Sequence, residues 1–159
     1  MRKTFTDLLP ALALVLACVM SSDAFASGTI RYRGDGEPIV LARGNARALG
    51  RLGFRYENGF GVPQDYIAAA DLYRRGAEQG DAFAQYRLGL SYDKGHGVPQ
   101  DFILAYKWLD LAAARASRRE RDFYLRLRDA VASKMSLAQV SEGQRLALTW
   151  SANWTAGRY

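Results

Sequence analysis

Residues 52–65 read Leu52-Gly53-Phe54-Arg55-Tyr56-Glu57-Asn58-Gly59-Phe60-Gly61-Val62-Pro63-Gln64-Asp65, and residues 88–101 read Leu88-Gly89-Leu90-Ser91-Tyr92-Asp93-Lys94-Gly95-His96-Gly97-Val98-Pro99-Gln100-Asp101. The Leu-Gly pair, the tyrosine and the whole Gly-x-Gly-Val-Pro-Gln-Asp run recur at the same offsets. Laying residues 44–79 over 80–115 extends the match to 16 identities in 36 positions without a gap, where unrelated segments would share roughly two. A period of this length is the signature of stacked helix pairs, whose usual work is to hold other macromolecules.

Each copy reads as helix, loop, helix. Ala48, Leu52 and Tyr56 lie four residues apart and share one face of a helix predicted over about 46–57. Gly53 inside it costs about 1 kcal/mol relative to alanine, and the missing Cβ lets a neighbouring helix come close. Gly89 repeats the arrangement, with Leu88 and Tyr92 beside it. Asn45 and Asp81 stand where N-caps belong. The glycines Gly59, Gly61, Gly95 and Gly97 end these first helices through left-handed backbone, and a proline stiffens each exit. Asp65 then caps a second helix over about 66–79 that buries Ala69, Leu72, Tyr73 and Ala77; Asp101 caps its counterpart, with Ala105, Trp108, Leu109 and Ala112. One such pair cannot bury its apolar face alone, so the pairs must stack.

The pattern Ala-x-x-x-Leu-Gly-x-x-Tyr-x-x-Gly-x-Gly-Val-x-x-Asp-x-x-x-Ala, followed by Trp108 and paired alanines, resembles the SEL-one-like repeat family, relatives of the tetratricopeptide repeats. The resemblance implies an all-α, short right-handed helical-repeat solenoid with repeats at 44–79 and 80–115. Two departures from the family pattern, Leu72 in place of Trp and Gly76 in place of Ala, predict weaker packing in the first copy. Beyond Ala116 the motif fades but an apolar stripe predicts a helix over about 118–134. Ser136 opens a capping box with Gln139, leading into a last helix. Residues 116–159 are read as a degenerate third pair closing the stack.

Ahead of the repeats, Arg2 and Lys3, an apolar stretch from Leu8 to Met20 and the small-x-small run Ala24-Phe25-Ala26 form an export signal over 1–26. Three outcomes follow from it: cleavage and release, periplasmic in a bacterium; a lipoprotein joined to the membrane at Cys18; or an uncleaved anchor. Residues 27–43 are read as a flexible lead-in and a short N-terminal lid. The net charge is +6, and loss of the leader leaves it there, because two acidic and two basic residues go together.

Catalytic chemistry finds little footing. His96 is the single histidine, and Cys18, the single cysteine, lies in the leader. No zinc-ligand spacing or third nucleotide-loop glycine is present. The reading is therefore a non-enzyme that needs no cofactor and no metal, and nucleic acid is disfavoured because the leader directs the chain away from it. The resemblance implies a protein-interaction adaptor, by analogy with exported relatives that scaffold envelope complexes or regulate periplasmic sensors. First helices of such arrays tend to line the binding groove, which makes Arg47, Arg51, Arg55 and Arg87, with Phe83 and Leu90, the candidate partner-binding ridge. A second reading uses Arg115, Arg118, Arg119, Arg121, Arg126 and Arg128 to bind an anionic envelope polymer or membrane surface.

Overall fold

The computed structural model describes residues 30–32, 38–40 and 46–157. The leader, Cys18 and Asn45 lie outside the described residues. Within the expected lead-in, Ile30–Tyr32 (β1) and Pro38–Val40 (β2) pair as an antiparallel ladder, with Ile30 opposite Val40 and Tyr32 opposite Pro38. At these residues the absence of helical periodicity reflects short strands, which the sequence reading passed over.

From Ala46 onward the fold is an all-α helical repeat. The first pair comprises α1 (Ala46–Asn58) and α2 (Tyr66–Glu78), and the second α3 (Ala82–Lys94) and α4 (Phe102–Arg115). Then come α5 (Arg118–Ala132) and α6 (Leu137–Thr155). Each member of a pair packs on the other, and α3 packs on both α1 and α2. The last two helices do not repeat this plan. Both settle mainly on α4 instead of on each other, so the expected third pair is two helices sharing one support.

The loop motif is wired to both helices it joins. Asp65 Oδ1 accepts from the backbone of Ile67 and Ala68, both at 2.9 Å, and Asp101 Oδ1 does the same for Ile103 and Leu104. The preceding glutamines close the other side. Gln64 Nε2 donates to the Glu57 carbonyl at 2.9 Å, and Gln100 Nε2 to the Asp93 carbonyl at 2.6 Å. These bonds occupy carbonyls that a helix end otherwise leaves open. Asp81 caps α3 as expected, and Ser136 forms its capping box with Gln139.

Close packing at glycine follows the sequence reading. A Cβ on Gly53 would stand 2.7 Å from the Tyr73 ring, and one on Gly89 would stand 2.8 Å from Leu109 Cγ. Gly76 corrects an expectation: a Cβ there would meet Ala84 Cβ at 2.8 Å and the Ala46 carbonyl at 2.9 Å, so glycine lets α2 approach two helices at once. The core includes Tyr73, Leu88 and Leu109, with Trp108 edge-on to Trp150 at 5.8 Å. That contact brings α6 back over α4. Its far end reaches the turn between the repeats, where a Cβ on Gly80 would fall 2.9 Å from Trp154.

Candidate functional site

Helix α1 carries Arg47, Arg51 and Arg55 at four-residue spacing, hence along one face. All three are exposed, and none forms an ion pair among the described residues. Arg55 Nε donates to the Phe60 carbonyl at 3.0 Å, which steadies the loop end.

Arg87 occupies the matching position to Arg51 but behaves differently, which removes it from the expected ridge. Its side chain is 13% exposed and pairs with Glu57 of α1. Nε reaches the Tyr73 hydroxyl at 3.3 Å, and the guanidinium carbon lies 4.8 Å from the Phe54 ring centroid and 5.6 Å from that of Tyr86. Tyr73 in turn donates its hydroxyl proton to Glu57 at 2.5 Å. Burial works against the Arg87 charge, but bonds with Tyr73 and Tyr86 and the Glu57 charge outweigh it and hold the group protonated. Burial, reinforced by the bond to Glu57, pushes the Tyr73 phenol far above its usual range. The reason for the correction is specific: Glu57 sits on the α3 side of α1 and draws Arg87 inward, whereas no preceding repeat supplies Arg51 with such a partner among the described residues.

Phe83 and Leu90 are half-buried on α3. Phe83 belongs to an aromatic row that crosses the first helices. Phe60 meets Phe54 at 5.8 Å, Phe54 meets Phe83 at 6.3 Å, Phe83 meets Tyr86 at 6.0 Å and Tyr86 meets Phe123 of α5 at 5.7 Å. Phe60 and Phe123 are exposed, Tyr86 is half-buried, and Tyr124 stacks beneath it at 4.8 Å. Edge-on and tilted ring pairs at these separations are mutually favourable. The sequence reading missed Phe54, Phe60, Tyr86 and Phe123. Phe83 and Tyr86 at three-residue spacing carried part of the signal, but the contacts between helices could not be read from one helix at a time.

The six arginines of 115–128 divide. Arg115 ends α4 and lies over the rings of Trp150 and Trp154. Arg128 bonds Asp110 and Asp129, each at 2.8 Å. Arg118, Arg119, Arg121 and Arg126 are exposed without ion pairs among the described residues. The expected single basic helix is thus four free cations on α5 and two that serve packing. Arg119 and Arg126 stand four before and three after Phe123, on its face, so they border the far end of the aromatic row as Arg47 and Arg51 border its start.

The repeat residues take structural places. Leu88, Gly89 and Trp108 are buried, Tyr56 and Tyr92 are half-buried against the core, and Leu52 is half-buried. Gly59, Gly61, Gly95 and Gly97 all adopt φ of 70–73°. His96 is not a free loop group: its ring lies 4.7 Å from Tyr66. An open depression of about 290 Å³ lies between α4 and α5, lined by Asp110, Ala113, Ala114, Arg121 and Leu125. Among the described residues no group of three or more His, Cys, Asp or Glu could hold a metal ion, and no helix is long and apolar enough to cross a membrane.

The Sel1 repeat family profile matches residues 46–81 and 82–117, the same 36-residue period shifted by two positions. Among solved structures, the chain is similar to a protective antigen present in uropathogenic Escherichia coli strains that displays an SLR fold. The two are 31% identical with a TM-score of 0.64, over 70% of this chain and 23% of that one. A Sel1 repeat protein from Oxalobacter formigenes is 40% identical over 54% of this chain and 62% of its own, with a TM-score of 0.48. This chain therefore spans about a quarter of the antigen and less than two thirds of the Oxalobacter protein. No curated protein matches it. With two consecutive repeats matched in sequence and folded as stacked helix pairs, the chain belongs to the Sel1 repeat family.

Proposed function

We propose that this chain is a protein-interaction scaffold whose working surface is the first-helix face, and that it takes an acidic segment of a partner protein. The observation that carries this reading is the aromatic row across α1, α3 and α5, bordered at one end by Arg47 and Arg51 and at the other by Arg119 and Arg126. Half-exposed aromatics supply anchoring area, whereas unpaired rim arginines supply encounter rate and selectivity. Membership of the Sel1 repeat family supports it, because that fold is typically a non-catalytic binding scaffold. The proposal includes location: the pattern of residues 1–26 favours export, which makes an envelope complex or a periplasmic sensor the expected setting.

The test is crosslinking of the tagged full-length protein in cells, wild type beside Arg47→Glu/Arg51→Glu, with partners identified by mass spectrometry. Arg87 is left intact because its loss would disturb packing. One dominant protein captured by wild type and lost in the variant is the expected result. The second reading, an anionic polymer or membrane surface, is favoured by the four free arginines of α5. It requires recovery of cell-wall or lipid material that is indifferent to Arg47 and Arg51, falls steeply with salt and disappears in Arg118→Gln/Arg119→Gln/Arg121→Gln/Arg126→Gln.

A further inference from the structure

Two cations on α4 are held against tryptophan rings while their hydrogen-bonding capacity goes unused. Lys107 Nζ lies 4.4 Å from the Trp108 ring centroid. The Arg115 guanidinium carbon lies 4.7 Å from the centroids of both Trp150 and Trp154, rings that stack on each other at 6.1 Å and 18°. Neither cation forms an ion pair or hydrogen bond among the described residues. Both are half-buried, and that burial disfavours their charge; for Lys107 the nearby Glu78 carboxylate offsets part of it. A cation that only completed a helix end or lengthened a surface would carry its head out to water. Here the rings fix the heads in place.

Eight residues separate the two along α4, about 12 Å at 1.5 Å per residue and about 80° around the axis. Buried Leu111 lies between them, and Trp154, 39% exposed, forms an apolar rim beside Arg115. Tryptophan and arginine are among the residues enriched in energetically dominant contacts. We propose that Lys107 and Arg115 form a second interaction site, separate from the first-helix face, that receives two carboxylates of one acidic segment of a partner protein. The fork of Arg115 suits bidentate capture of one carboxylate, and Lys107 gives a point charge for the other. A phosphate would call for donors converging on one spot, and these two stand apart. A membrane surface would call for a denser cationic patch without Glu78 beside it.

The experiment uses the full chain and a panel of fluorescein-labelled peptides carrying two glutamates separated by one to eight intervening residues, read by anisotropy. Binding is expected to peak when an extended peptide spans the gap, at a separation of about four residues. Replacing both glutamates with glutamine abolishes it. Arg115→Gln and Lys107→Gln each weaken it about tenfold while the chain stays folded, with only a small fall in melting temperature from the lost ring contacts, and Arg115→Lys falls between wild type and Arg115→Gln. Arg47→Glu/Arg51→Glu leaves it intact, which keeps this site independent of the first-helix reading. The proposal is overturned if no peptide binds, if spacing makes no difference, or if the α4 variants bind like wild type. It is equally overturned if inorganic phosphate or phosphatidylglycerol vesicles displace the best peptide.

Discussion

The two repeats spell almost the same motif and live in different surroundings. Ala84 and Leu88 are 0% exposed, whereas their counterparts Ala48 and Leu52 are exposed and half-buried. Gly97 lies against the backbone of Tyr66, where an added Cβ would stand 1.9 Å from a carbonyl oxygen; at Gly61 the nearest atom is the tip of the Arg55 guanidinium, at 2.9 Å. His96 rests on Tyr66, whereas Phe60 in its place is 56% exposed. A repeat position is therefore made core or surface by the neighbour that precedes it, and the same residue can carry packing in one copy and be open in the next.

The largest separation between the copies is expected at the loop glycines. Gly97→Ala combines a left-handed φ with a collision against backbone and should cost on the order of 3–4 kcal/mol, against roughly 1–2 for Gly61→Ala. Equal losses of thermal stability would erase the comparison. Next, Leu88→Ala should cost about 3 kcal/mol and Leu52→Ala about 1, because only the first leaves a closed cavity; urea melts of the two variants decide it. Contacts inside each pair should instead be shared. Gly53→Val and Gly89→Val both force a side chain into the facing helix and should each lose about 2 kcal/mol; a large difference would place the asymmetry within the pairs as well as between them. The smallest effect contrasts the repeats with α5. Burial, reinforced by nearby Glu120, pushes the Tyr124 phenol up to about 12. Its unfolded value is near 10, so its stabilising effect is complete below about pH 10 and is lost as pH rises through about 12. Tyr124→Phe should flatten that alkaline decline in a melting-temperature profile, and an unchanged slope would assign the decline to other groups.

Much of this was legible before any coordinates. Helix bounds followed from four-residue spacing and from Asp65, Asp81, Asp101 and Ser136, because caps and periodicity are local. The glycines at 53 and 89 were legible for the same reason: a glycine inside a strongly helical stretch needs a close neighbour. Arg87 was not, since its fate depends on Glu57 thirty residues earlier and on three rings from three helices. Gly76 was misread as a defect because family preference speaks for an average repeat, and here Ala84 and the Ala46 carbonyl leave no room for a methyl group. The aromatic row stayed hidden because each helix contributes only one or two rings, and their alignment exists only after stacking.

The return of α6 over α4 has a consequence for how the chain matures. Trp154 lies beside Gly80, a contact between segments roughly seventy residues apart, and long-range contacts of this kind slow folding. On a ribosome the repeats emerge first, but the surface that Trp150 and Trp154 cover stays bare until α6 has been made. The newborn repeats thus stand partly uncovered until that helix arrives.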